Sequence, residues 1–375
     1  MRKNRPNHVY QTVLGIKLSP HIVCALGESA PPPASGLRPP ASGLWPLVSG
    51  LWSPFSAFHA RHFFPYSGMR SRWILIGIVP LAAAVGGGLW WGKRGSTAML
   101  GQAAYEQTAA ILAKGPRPPG SPGLTAVREL VRAELEKAGW VTQKQAFDRM
   151  TPDGNMTFEN LRARFPAGAA DPWTTPVRGI LCAHIDSKKF KDVCFPGADD
   201  AASGCAAIVE IARFLARVKP MQARCLELVF FDGEEALGPD ITPTDGLYGS
   251  RYYANQWRTR SDKPRFGILL DMIGHDNLTI RLSSDTPEDL KQRVFAAAKA
   301  EDAERHFGMA MGPITDDHVP LNFAGIPTVD IIGDFSSSGW WHTPADNLKI
   351  ISARSLDISI RVTLRMLDGW LDQAS

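Results

Sequence analysis

The chain has 375 residues, 44% hydrophobic and 21% charged, a globular composition long enough for one large domain or two ordinary ones. Its net charge of +4 is unevenly placed: ten Lys and Arg against one acid, Glu28, put +9 on residues 1–94 and leave −5 on residues 95–375. The mildly acidic body argues against a nucleic-acid partner, and five cysteines without a CxxC spacing argue against a thiolate zinc site.

Residues 1–68 are rich in Pro, Ser and Gly, and Ser-Gly-Leu recurs every seven residues at Ser35, Ser42 and Ser49. No periodic apolar face is available to bury, so this segment is expected to be disordered, or absent if translation begins at Met69. Residues 69–94 follow as Arg70 and Arg72, an uncharged run from Trp73 to Gly92, then Lys93-Arg94. About twenty apolar residues suffice to span a bilayer, and Trp at both ends suits the interfaces. The expectation is a signal anchor that holds an extracytoplasmic catalytic domain at the membrane, with a cleaved signal peptide and a secreted or periplasmic body as the rival.

Residues 95–375 read as the catalytic domain. A helix is expected near Gln102 to Lys114, then a rigid loop from Gly115 to Gly123. Ser121 and Pro122 supply the N-cap and first position of a helix to Lys137, and Gly139 ends it. Strands are expected at Gln143–Phe147 and Phe158–Phe165, and a buried one at Val177–His184. An amphipathic helix, Ser203–Val218, leads into the hydrophobic strand Leu226–Phe231. A helix near Ser250–Trp257, the strand Phe266–Met272, a helix from Pro287 to His306, the strand Ile326–Ile332 and a helix Ala353–Leu371 complete the chain. This alternation predicts an α/β three-layer sandwich: a mixed, mostly parallel sheet with helices on both faces.

In open sheets of this kind, sites form beyond the carboxyl ends of the strands. Those ends carry His184-Ile185-Asp186, Glu234-Glu235, Asp271 and, after the last strand, Trp341-His342, while Asp199-Asp200 sit in the loop before a helix. Each alone could be a cap or a surface residue, and Glu234-Glu235 could simply open a helix, where acids are favoured. Together they send carboxylates and imidazoles to one edge, which is costly unless a cation lies among them. Oxygen and imidazole donors without thiolate suit zinc in an open, catalytic site. Asp186, two residues past His184, is placed to orient that imidazole.

Residues 101–372 resemble the animal-type glutaminyl-peptide cyclotransferases and the zinc aminopeptidases that share their fold. The resemblance is carried by Pro118-Pro119-Gly120-Ser121-Pro122-Gly123, His184-Ile185-Asp186-Ser187-Lys188, Gly197-Ala198-Asp199-Asp200, Phe231-Asp232-Gly233-Glu234-Glu235, Asp245-Gly246-Leu247-Tyr248-Gly249-Ser250-Arg251, Leu270-Asp271-Met272-Ile273-Gly274, Asp316-Asp317-His318 and Trp341-His342-Thr343. It implies zinc held by Asp200, Glu235 and His342, a proton shuttle at Glu234, and a carboxyl network of Asp271 and Asp316. It also implies a substrate pocket bounded by Trp341, with Phe335 as a further candidate, a cis peptide after Asp200, and peptide N-termini as substrates. Strand alternation adds Asp330: on Ile326–Ile332, with Val329 and Ile331 on the other face, it is expected on the pocket side with Thr328.

Two positions depart from the cyclase pattern. Asp330 stands where the cyclases carry a His, and the loop Ala236-Leu237-Gly238-Pro239-Asp240-Ile241 lacks an expected Trp. His184 and Asp271 complete the set for a second zinc, as in the aminopeptidases, so the sequence is compatible with one ion or two, and with a cyclase or an aminopeptidase. Cys194–Cys205 is the expected disulfide, with Cys182–Cys205 as the competing pair.

Overall fold

A computed structural model of the protein describes residues 100–371 apart from 169, 337 and 338. The expectations for residues 1–68 and 69–94 therefore lie outside the described residues. Among those described, no helix is long and apolar enough to cross a membrane.

Helix α1 covers residues 100–112. Ser121 accepts a hydrogen bond from the Leu124 backbone amide and caps α2, Pro122–Lys137. Strands β1 (Val141–Thr151) and β2 (Gly154–Arg164) form an antiparallel hairpin paired over eleven residues; β1 is longer at both ends than the apolar pattern indicates, and β2 starts four residues earlier. After β3 (Gly179–His184) a π-helical turn, Ala198–Ser203, leads into α3, Gly204–Val218. A single turn, α4 (Pro220–Ala223), precedes β4, Leu226–Phe231, which is buried along its whole length. There follow α5 (Tyr248–Asn255), β5 (Phe266–Asp271), β6 (Ile280–Leu282), α6 (Glu288–Ala300), β7 (Phe307–Met309), α7 (His318–Phe323), β8 (Thr328–Ile332) and α8 (Ala353–Leu371).

The main sheet has the order β1-β2-β4-β3-β5-β8. Its first two pairings are antiparallel, and β4, β3, β5 and β8 run parallel. Parallel strands covered on both faces should be apolar in both directions, and these are apart from Glu227 inside β4 and Asp330 inside β8, both buried. Leu181, Leu228, Ile268 and Val329 pack on one side into the larger core with α2, α3 and α8. Cys182, Val229 and Leu269 pack on the other side with Tyr253 and Trp257 around α5 and Leu321 of α7. The expected three-layer α/β sandwich is the architecture found.

The register aligns the strand ends. His184 pairs with Phe231, and Asp271 pairs with Ile332. Everything placed just beyond those residues meets at one edge of the sheet.

One helix is corrected. The chain is not helical from Pro287 to His306: α6 stops at Ala300, Asp302 takes a left-handed φ of 54°, and a 3-10 turn, Glu304–His306, precedes β7. Strands β6 and β7 form a small parallel sheet that the sequence pattern did not indicate.

Candidate active site

The end of β4 turns at Gly233, whose φ is +71°, and a Cβ there would come within 2.5 Å of the Phe158 ring. Only glycine fits such a turn. Residues 232–247 then run as a loop, so Glu234 and Glu235 do not open a helix. Their backbone amides donate to the two oxygens of Asp186, each at 3.2 Å. Asp186 also stands 3.5 Å from His184 Nδ1, but that ring nitrogen has no hydrogen-bond partner. Asp186 thus positions the Glu234-Glu235 backbone and, at the edge of hydrogen-bond reach, supports the charged form of the buried His184 ring, as expected for a residue that orients it.

The loop from β3 to the π-helical turn is held by a residue that sequence reasoning missed. The Arg117 guanidinium is buried and donates to the carbonyls of Ile185 (3.1 Å), Pro196 (2.6 Å), Gly197 (2.7 Å) and Asp200 (3.3 Å). From the other side, the Asp346 carboxylate accepts from the amides of Asp199 (2.7 Å) and Asp200 (3.1 Å). The peptide between Asp200 and Ala201 is cis. His342 sits at φ 56°, a left-handed conformation uncommon outside glycine.

These elements bring two donor sets together around Asp200. His342 Nε2 lies 3.5 Å from Asp200 Oδ2 and 3.3 Å from Glu235 Oε1. His184 Nε2 lies 3.1 Å from Asp200 Oδ1 and 3.4 Å from Asp271 Oδ1. Each set places one ligand atom per residue within 4.8 Å of the others. Bonds of ~2.0 Å in a tetrahedral centre put neighbouring ligands roughly 3.3 Å apart. Glu235 Oε1 and Asp271 Oδ1 are buried without hydrogen-bond partners. The donor set therefore fits a zinc ion on spacing, on ligand type and on unmet polar atoms.

The sets open into a cavity of about 290 Å³, lined also by Glu234, Asp316, Phe335 and Trp341. Trp341 stacks on the His342 ring at 3.9 Å and contacts Phe335 at 4.8 Å. Burial, reinforced by Asp316, Glu235 and Asp317, raises the Glu234 carboxyl well above its ordinary range. Burial likewise pushes Asp271 up to about 8. At Asp200 burial works against ionisation, but bonds from His184 and His342 outweigh it and its pKa is lowered.

Two expectations are corrected. Asp330 is on the predicted side of its strand but pairs with Leu269, two residues short of the strand end. It is buried beneath α7, 3.4 Å from His318, and does not line the cavity. Cys182, Cys205 and Cys225 are free thiols, so neither expected disulfide forms; the Cys205 thiol donates to the His184 carbonyl instead.

The sequence pattern describing peptidase family M28 matches residues 160–367. The chain belongs to peptidase family M28. The glutaminyl-peptide cyclotransferase-like protein of Mus musculus is 33% identical over 259 residues, 61% of this chain and 66% of that protein. The chain thus spans slightly under two thirds of the mouse protein's length. The glutaminyl cyclase of an Acidobacteriales bacterium superimposes with a TM-score of 0.64 at 28% identity, covering 73% of this chain and 95% of that one. A Zn-dependent exopeptidase from Parabacteroides distasonis superimposes with a TM-score of 0.63 at 26% identity, covering 73% and 98%.

Proposed function

We propose that this M28 chain is a zinc-dependent glutaminyl-peptide cyclotransferase, converting the N-terminal Gln of a peptide to pyroglutamate with release of ammonia. The observation that carries this reading is the pairing of Glu234 with the donor set: a buried carboxyl with a raised pKa lines the same cavity as Asp200, Glu235 and His342. Similarity to the mouse and Acidobacteriales proteins supports it. Asp200, Glu235 and His342 would hold the ion, which when bound polarises the side-chain amide carbonyl.

The substrate's own α-amine is the nucleophile, so the cavity has only to fold the Gln side chain back on itself. Trp341 and Phe335 wall that space. Glu234 takes a proton from the amine as its nitrogen bonds to the amide carbon, and returns it to the nitrogen that leaves as ammonia. Asp271 and Asp316, on the same cavity, keep that proton within a carboxyl network.

A second reading has its own observation. The intact set His184, Asp200 and Asp271, together with the likeness to the exopeptidase, favours an aminopeptidase in which Glu234 removes a proton from the water that attacks the first peptide bond. Side-by-side assay of a Gln-initiated and a Leu-initiated peptide separates the two. Ammonia release from the Gln peptide alone supports cyclisation; cleavage of the Leu peptide without ammonia release refutes it. The reading of residues 69–94 as an anchor adds that the body acts at a membrane on extracytoplasmic peptides. Extraction of the full-length chain by alkaline carbonate would count against that placement.

A further inference from the structure

Behind the cavity wall lies a third group of donors that shares no residue with the two around Asp200. Asp316 and His318 come from the segment that starts α7, and Asp330 from the middle of β8. One ligand atom from each lies within 4.8 Å of the others, and none of the three residues is more than 3% exposed. Asp316 Oδ1 accepts from the Asp317 amide, but Oδ2 has no hydrogen-bond partner. Both ring nitrogens of His318 and both oxygens of Asp330 are also without hydrogen-bond partners. His318 Nδ1 and Asp330 Oδ2 are 3.4 Å apart, close enough to interact yet not aligned as a hydrogen bond.

A buried polar atom left unpaired costs about 1–3 kcal/mol, and a charged one more. Five such atoms lie unpaired between one helix and one strand, and one from each residue converges within 4.8 Å, so something is required to satisfy them. Helix capping does not, because the turn residue Asp317 makes no side-chain bond to α7. An ion pair with Lys or Arg does not either: the charges acting on Asp330 are the carboxylates of Asp316, Asp271 and Asp317. A proton held between Asp316 and Asp330, which contributes to the raised Asp330 carboxyl, satisfies one oxygen of each but leaves the second Asp330 oxygen and the imidazole unmatched.

We propose that Asp316, His318 and Asp330 form a binding site for a further divalent cation of the zinc or manganese class. Two carboxylate oxygens and one imidazole nitrogen are donors that such ions accept, and the 3.4 Å separation suits neighbouring ligands on bonds of ~2.0–2.1 Å. Burial keeps the imidazole neutral, the form that ligates. The cation holds the Asp316 carboxylate from behind while the residue faces the cavity, so its role is to position that side chain and offset the negative charge beside it.

The test is metal content, which does not depend on which reaction the enzyme performs. Full-length protein is saturated with zinc alone, freed of excess, and its metal per chain counted by mass spectrometry. Asp330→Asn and His318→Gln should each bind one equivalent less than wild type. Asp330→Asn combined with Glu235→Gln should lose more than either alone, since the sites are separate. Equal zinc in wild type and Asp330→Asn overturns the proposal. Should the variants fail to fold, anomalous diffraction from zinc-saturated wild type decides: a peak among Asp316, His318 and Asp330 supports the site, and no peak there overturns it.

Discussion

Glu234 and Glu235 are chain neighbours with different surroundings, and the difference assigns their tests. Glu235 Oε1 is 3.3 Å from His342 Nε2 and its other oxygen 3.5 Å from Lys188, so it is one member of a converging donor set. Glu234 belongs to no such set, and its carboxyl is held well up by burial. Glu234→Gln should therefore retain zinc and lose turnover by ~10²–10⁴-fold, as expected when only a proton carrier is removed. Glu235→Gln should lose zinc on dialysis. Metal analysis beside turnover checks both, and the roles are misassigned if the zinc loss appears in the first variant. The thiols offer another residue-scale contrast. Burial pushes Cys205 up to about 12 and Cys182 well above the ordinary range, whereas Cys225 is half-buried near the surface. Since thiolate is the reactive form, mass mapping after iodoacetamide at pH 8 should find Cys225 labelled in the native protein. Cys182 and Cys205 should be labelled only after unfolding.

At the scale of elements, the loop bearing Asp200 depends on a side chain eighty residues earlier. Arg117 feeds four carbonyls between Ile185 and Asp200. Arg117→Met strands those acceptors at ~1–3 kcal/mol each. Denaturant unfolding of the metal-free variant should show a loss of several kcal/mol, and zinc retention should fall with it. A variant as stable as wild type would mean that water replaces the guanidinium without cost. Arg117 was illegible in the sequence because its partners are set by where the chain returns, not by spacing, and the same holds for Asp346 at the amides of Asp199 and Asp200. What was legible depended on continuous signals. The run Leu226–Phe231 is apolar on both faces except at Glu227, which Arg162 and Arg164 pair, because both its faces are covered, and Ser121-Pro122 fixed the start of α2. Strand parity placed Asp330 on the correct side of β8, but parity carries no depth, and a residue two positions from the strand end is covered by α7 rather than open to the cavity. Strands β6 and β7, three residues each, are too short for any periodicity to show.

Over the whole molecule, the aligned ends of β3, β4, β5 and β8 concentrate negative charge at one edge. Asp200, Glu234, Glu235, Asp271, Asp316 and Asp317 are buried there, with Asp330 beneath them, and among the described residues Lys188 stands within ion-pair reach of Glu235 at 3.5 Å. A cation that binds only the folded chain stabilises it by about 2.7 kcal/mol at a hundred times its dissociation constant. At about 2–4 °C per kcal/mol for a body of this size, removing metal with a chelator should lower the unfolding temperature by ~5–10 °C, and zinc should restore it. The pH dependence of the chelated protein has a definite sign. Asp271, near 8 in the fold, and Glu234, Asp317 and Asp330, also raised by burial, all keep protons that the unfolded chain gives up near pH 4. The folded state then binds more protons than the unfolded state across that interval, so stability falls as pH rises from about 4 to about 8. The gap between zinc-loaded and chelated protein should accordingly widen over the same range. Differential scanning calorimetry at pH 5 and pH 8, with and without chelator, measures it. A gap that narrows toward pH 8 would show that these carboxylates are ionised and satisfied in the folded chain without a cation.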